Sequence, residues 1–260
     1  MATQASSSGS IDIGRVLSRT FEALRKQAGI LIGLAIVLVG VPQLALQYFL
    51  VSSMRAAALS HPANPFAVFA FFTTPLFWGS ILVGMIVGML LQAAVVRTSI
   101  CTLLNEPVDF GATLTRSVSL LLPMIGLAIV SMVIFGVGLI LLLVPGIIAY
   151  VHFVVAVPVL VEERKGVFGS LARSSELTKG SRWQIFGLLV LVGIATAVLG
   201  WILRMIGGLG AESIIVTAAI QAINSVISWL FSATMVAALY VELRVVREGG
   251  SRTELSAIFA

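Results

Sequence analysis

Composition and patterning predict an all-α polytopic membrane protein: six transmembrane helices with three amphipathic helices on the cytoplasmic side. Three observations carry this expectation. Hydrophobic residues make up 59% of the 260-residue chain and charged residues only 10%, against roughly 25% charged in an ordinary globular domain. The mean hydropathy of +1.10 agrees, and apolar runs recur at about the 20 residues needed to cross a bilayer. A short amphipathic segment also recurs ahead of those runs. "IDIGRVLSRT" (Ile11–Thr20) and "VDFGATLTRS" (Val108–Ser117) both place Asp, Gly, Leu, Arg and a hydroxyl residue at the same offsets.

The first ten residues are Ser-rich and polar and read as a disordered tail. No cleaved signal peptide is expected, because the apolar run that follows exceeds the roughly 7–15 residues of such a segment. On a helix, Ile13, Val16, Leu17, Thr20, Phe21 and Leu24 fall on one face. Arg15, Ser18, Arg19, Glu22 and Lys26 occupy the rest, and Asp12 suits the first turn. A shift of 97 residues puts Phe110, Thr113, Leu114, Ser117, Val118 and Leu121 on the equivalent face, with Arg116 repeating Arg19. A thinner third copy starts at Gly166, where "LARS" (Leu171–Ser174) aligns with "LSRT" and "LTRS". Lys179 and Gly180 supply its terminal cation and its stop.

The first span is expected at Ala28–Ser52, bent at Pro42, and the second at Pro75–Val96, with Trp78 near an interface. Val118–Val161 holds 44 apolar-rich residues, enough for two spans. Their turn falls either at Gly136–Gly138 or at Val144–Gly146. The first divides the block evenly and is the expectation, with Pro145 then kinking the fourth helix. The fifth span is expected at Trp183–Met205 and the sixth at Ser213–Tyr240. The domain organisation is thus a tail at 1–10, a single membrane domain at 11–248 and a second tail at 249–260. Within the domain, the repeat units run over about 11–96, 108–161 and 165–241.

Orientation follows from the flanking cations. With six spans, fourteen of the sixteen Lys and Arg residues fall on one side, and only Arg55 and Arg204 on the other. Both termini are therefore expected in the cytoplasm, in the inner membrane, with all three amphipathic helices on the same side. Such helices either pack as connectors against the bundle or rest among the lipid headgroups. The net charge of +5 and pI near 10.0 fit this topology and anionic lipid. Nucleic acid is not an expected partner, since basic residues interleaved with aromatics are missing.

Two stretches resemble a known family. "VPVLVEERKGVFGSLARSSELTKGSRWQIFGLLVL" (Val157–Leu191) and "LYVELRVVREG" (Leu239–Gly249) are similar to motifs of the glycerophosphoryl diester phosphodiesterase membrane-domain group and of related six-span bacterial families. The shared pattern is a Pro near a span end, a Glu, an Arg-Ser pair, a Leu-Thr-x-Gly stop and a closing Tyr-x-x-Leu-Arg. The resemblance implies the six-span layout. It does not imply hydrolysis, because about 20 residues follow the last span and a catalytic domain is not expected among them.

No catalytic constellation emerges, so no enzyme, no metal site and no cofactor are expected. His61 and His152 are the only histidines and lack metal-ligand spacing. Cys101 is the single cysteine, read as a small buried apolar residue. Glu162 and Glu163 are adjacent and point about 100° apart on a helix, which makes a poor acid–base pair. "GGLG" at Gly207–Gly210 reads as a turn.

Two sets of residues remain as candidate sites. Arg116, Arg173, Arg182 and Arg244 are candidates to hold lipid phosphates, because guanidinium pairs bidentately with phosphate. The alternative for them is a solvated rim. Gln43, Gln47, Gln92 and Asn224 lie within the spans and need internal partners. They serve either helix adhesion or the passage of an amphiphilic solute. Gly29-x-x-x-Gly33 and Gly84-x-x-x-Gly88 suit close helix crossings. The expected function is a non-enzymatic protein that engages anionic lipid headgroups and organises or handles membrane lipid. A permease or permease accessory is the alternative. Homo-oligomers or other membrane proteins are further partners to consider.

Overall fold

The computed structural model describes residues 11–26, 28–36, 40–60, 75–104, 115, 117–141, 143–208 and 213–248. The described residues are helical, with no strand among them. In chain order the helices are α1 (Ile13–Lys26), α2 (Ala28–Ala35), α3 (Val41–Ser60), α4 (Pro75–Leu104), α5 (Leu121–Leu141), α6 (Leu143–Phe153), α7 (Ala156–Glu163), α8 (Gly166–Thr178), α9 (Arg182–Gly208) and α10 (Ile214–Glu248).

Five stretches are long and apolar enough to cross a membrane: Phe77–Leu104, Leu121–Gly138, Val144–Glu163, Arg182–Ile206 and Ile215–Glu248. Their outer surfaces carry large apolar side chains such as Leu122, Met132, Val133, Ile194 and Ile215, which water would not solvate. The chain is therefore built as a multi-pass membrane protein. The expected first span falls on α2 and α3, with 37–39 outside the described residues. Pro42 is the second residue of α3, and the residues before it at 37–39, where a bend in the expected span would show, lie outside the described residues. Gln43, Gln47, Ser52, Ser53 and Arg55 dilute the apolar character of α3.

The turn inside the long apolar block is at neither expected position. Helix α5 runs straight through Gly136–Gly138 to Leu141, and α6 starts at Leu143. The glycine at 138 serves packing instead: a Cβ there would lie 2.9 Å from Gly146 Cα, so only glycine lets α5 approach α6 this closely. Pro145 sits in the first turn of α6, where a missing N–H costs nothing, and it does not kink the helix. The break in the fourth span comes later, at residues 154–155 between α6 and α7. Pro158 explains it, because it cannot donate to the Val154 carbonyl and its ring crowds that turn.

Among the described residues, the two GxxxG stretches make no close crossings. A Cβ on Gly29, Gly33, Gly84 or Gly88 would meet nothing within 4 Å. Spacing alone cannot say which face of a helix meets a neighbour.

The chain divides into two compact units. One comprises Met1–Ala28, Gln92–Val192 and Phe231–Ala260, and the other Gly29–Leu91 and Gly193–Leu230. Helices α4, α9 and α10 each contribute one end to each unit. In the first unit α5 packs along α6, and α8 lies against α5, α6 and α7. Its core is formed by the ends of α4 and α10, with Val95, Ile100, Leu239, Tyr240 and Leu243 almost fully buried. In the second unit Asn224 of α10 packs on Gly200 of α9, where a Cβ would sit 3.4 Å from its Oδ1.

Of the three amphipathic segments, α1 and α8 are described, and the helix expected from 108 lies largely outside the described residues. Helix α1 starts as anticipated. The Asp12 carboxylate accepts from the Gly14 N–H at 2.9 Å and the Arg15 N–H at 3.3 Å, satisfying first-turn donors. Its inward face is rotated from the expected one. Val16, Thr20 and Ala23 are buried and Arg19 is largely covered, while Phe21 is 60% exposed. Helix α8 buries Ser170, Leu171, Ser174, Leu177 and Thr178. Small hydroxyl residues on that face allow tight packing, and the Ser174 hydroxyl donates to the His152 carbonyl at 2.8 Å. Gly180, at φ +86°, ends α8 in the left-handed conformation that favours glycine.

Candidate functional site

Within the first unit, the ends of α4, α7 and α10 hold a set of carboxylates inside the protein. Glu242, on α10 behind the largely buried Leu239–Tyr240–Val241 run, has no exposed side-chain surface. Its Oε1 accepts from Arg15 Nη1 at 2.8 Å, and its Oε2 pairs with Arg19 Nη1. Both arginines belong to α1, so one buried carboxylate fastens the first amphipathic helix to the last long one. Glu162, also without side-chain exposure, pairs with Arg97 and joins the end of α7 to α4.

A second network surrounds Glu163. Its carboxylate pairs with Lys165 Nζ at 2.8 Å and Arg173 Nε at 3.2 Å, and accepts from the Tyr240 hydroxyl at 3.1 Å. Arg173 also reaches Glu176 at 3.1 Å and pairs with Glu248. Arg244 donates to Glu248 Oε2 at 2.9 Å and to the Tyr240 oxygen at 3.4 Å. Arg247 Nε donates to the Leu177 carbonyl at 3.4 Å. Burial pulls the Arg173 pKa down, but the bond to Glu176 and the charges of Glu163, Glu248 and Glu176 outweigh it and hold the guanidinium above its ordinary value. Three acids thus face three bases, and the network is charge-balanced. Chemically it is a fastening: removing one partner from a buried pair leaves a charge in low dielectric, at a cost of about 3–5 kcal/mol.

The candidate phosphate-binding arginines fall into different settings. Arg173 and Arg244 are held by protein carboxylates. Arg116 lies outside the described residues. Arg182, first residue of α9, is half-buried, its Nε is covered, and it has no hydrogen-bond partner there among the described residues. Of the polar span residues, Gln43 and Gln47 on α3 and Asn224 belong to one unit and Gln92 to the other. All four are half-buried, and the Asn224 Oδ1 has no hydrogen-bond partner among the described residues. No cluster of His, Cys, Asp or Glu among the described residues has the grouping that would hold a metal ion. Cys101 is buried, as expected.

Sequence does not single out Glu248, Arg15, Arg19, Arg97 or Tyr240 as a site, and it groups Glu162, Glu163 and Glu242 with Arg173, Arg182 and Arg244 only as a solvated rim, whereas the three carboxylates are largely or fully covered. One signal points to their pairing. The repeat aligns Arg19 with Arg173, and each takes a carboxylate near the end of a candidate membrane-crossing stretch, Glu242 and Glu163 respectively. The two motif stretches, 157–191 and 239–249, also meet through Glu163–Tyr240, Arg173–Glu248 and Leu177–Arg247.

No curated protein and no solved structure matches the chain. One family profile does, over residues 11–243, which takes in both motif stretches' charged residues up to Leu243 and nearly every described helix. The chain belongs to that family, described as a domain of unknown function, DUF7847.

Proposed function

We propose that this chain is a non-enzymatic, six-span protein of the cytoplasmic membrane that engages anionic lipid and organises or handles it. In this reading both termini are cytoplasmic, and α2 with α3 forms the remaining span. The fourteen-to-two distribution of cations favours that topology over five crossings. The likeness to the glycerophosphoryl diester phosphodiesterase membrane-domain group, at 157–191 and 239–249, belongs to the same proposal.

One observation carries the lipid reading. The amphipathic helices and the start of α9 present exposed aromatics beside cations. Phe21 is 60% exposed near Arg25 and Lys26, Phe168 is 75% exposed near Arg164 and Lys165, and Trp183 is 83% exposed beside Arg182. Aromatic rings next to Lys and Arg suit the headgroup layer, where the ring meets hydrocarbon and the cation meets phosphate. The buried carboxylates support the reading in a second way: they hold α1 and α8 in place, so these surfaces face the lipid as fixed features.

The test is lipid co-purification. Protein extracted from membranes with its surrounding lipid should carry phosphatidylglycerol or another anionic lipid enriched severalfold over the bulk membrane. Replacing Phe21, Phe168 and Trp183 by Ser together should reduce the enrichment. A lipid shell identical to the bulk would end the proposal.

A further inference from the structure

Two adjoining hollows, of about 400 and 490 Å³, run between α6 and α9. They share Ile147, Val151 and Phe186, so they form one groove. One end is apolar, lined by Leu189, Val190 and Phe135. Its other end carries Arg182, Trp183 and His152. From Arg182 to Val190 the groove follows α9 for roughly 12 Å at 1.5 Å per residue. That is most of one leaflet's share, about 15 Å, of the hydrocarbon core.

Arg182 differs from the other covered arginines of this unit. Arg19, Arg97, Arg173 and Arg244 each pair with a carboxylate. Arg182, half-buried, pairs with none among the described residues, although its Nε is buried and without a hydrogen-bond partner there. A half-buried guanidinium with no anion among the described residues, at one end of an apolar groove about one leaflet long, fits an anionic headgroup joined to a chain. His152 Nδ1 lies 2.7 Å from the Ile148 carbonyl and donates to it, which fixes the imidazole beside the mouth.

We propose that the α6–α9 groove binds one acyl chain of an anionic phospholipid and seats its phosphate on Arg182. This deepens the lipid reading above and rests on it. The guanidinium supplies charge-assisted, bidentate hydrogen bonds to the phosphate. Ile147, Val151 and Phe186 take the chain, and Trp183 lies at the level where the two meet.

The experiment uses the full chain with Trp78, Trp201 and Trp229 replaced by Phe, so that Trp183 is the only tryptophan and can be excited apart from the tyrosines. Chain-brominated phosphatidylglycerol should quench Trp183 at a mole fraction roughly tenfold lower than chain-brominated phosphatidylcholine, a ratio that one charge-assisted contact supplies. Arg182→Gln should bring the two lipids together. Ile147→Phe, which fills the groove, should weaken quenching by both, and Val190→Phe at the opposite wall should do the same if the first variant proves unstable. Excess inorganic phosphate should leave the quenching unchanged. Displacement by inorganic phosphate would mean a free-anion site and overturn the proposal. So would equal quenching by both lipids in the parent, or a groove closed to both by a second copy of the chain. If the parent shows no lipid preference while co-purified lipid is still enriched in anionic species, this inference alone fails. Loss of both results removes the broader reading as well.

Discussion

The Glu242 carboxylate, fully covered by protein, takes the Arg15 guanidinium at 2.8 Å across 227 positions of sequence. That contact, with Arg19 on the other carboxylate oxygen, ties α1 to α10. Glu242→Gln should therefore destabilise the chain by about 3 kcal/mol, because two cations lose their counter-charge within the protein. Arg15→Gln, at a side chain 45% exposed, should cost less than about 1 kcal/mol. Thermal unfolding in detergent checks both, and equal effects would contradict the account.

The Arg97–Glu162 pair makes a separate prediction. Arg97→Met alone strands the unexposed Glu162 charge and should cost about 3 kcal/mol. Adding Glu162→Leu should return most of the loss, since a buried ion pair replaced by apolar residues of similar size is often neutral. Half-life at elevated temperature, measured for the single and double variants, reads this directly.

Much of this architecture was legible in the sequence, and the parts that were not share a cause. The Ile13–Leu24 spacing identified α1, and Asp12 its start, because both are local signals. The inward face of α1 is nevertheless turned toward Arg19, which an isolated helix would direct to water. Its partner is Glu242, and no local pattern links positions so far apart. Pro158, three residues into a helix, produced the break expected of Pro145, which stands where helices tolerate proline. Gly136–Gly138 looked like a turn because glycine suits turns, yet glycine at 138 serves close packing. Arg173 and Arg244 read as phosphate ligands because their acids, Glu163 and Glu248, come together only through the folding of α7, α8 and α10. Arg182, the remaining described arginine of that set, meets no carboxylate among the described residues.

Helix packing gives a contrast between two glycines. Gly138→Ala places a methyl within 2.9 Å of the Gly146 backbone and should cost about 1–3 kcal/mol by overpacking. Gly193→Ala in α9 meets nothing within 4 Å and should be neutral or stabilise by up to about 1 kcal/mol through helix propensity. Unfolding midpoints of the two variants in one detergent decide the matter.

The polar residues in the spans separate lipid engagement from solute passage. Cysteine placed at Gln43, Gln47, Gln92 or Asn224, in a Cys101→Ser background, should resist water-soluble maleimide. Labelling at all four would indicate an aqueous path and favour a permease.

The most direct test of the account concerns the number of crossings. Cysteine at Ser7 and at Ser251, each in the Cys101→Ser background, is exposed to a membrane-impermeant maleimide in intact cells and in inside-out vesicles. Six crossings with a cytoplasmic rim of cations predict that both positions react only in the inside-out vesicles. Reaction of either one from outside intact cells would contradict it.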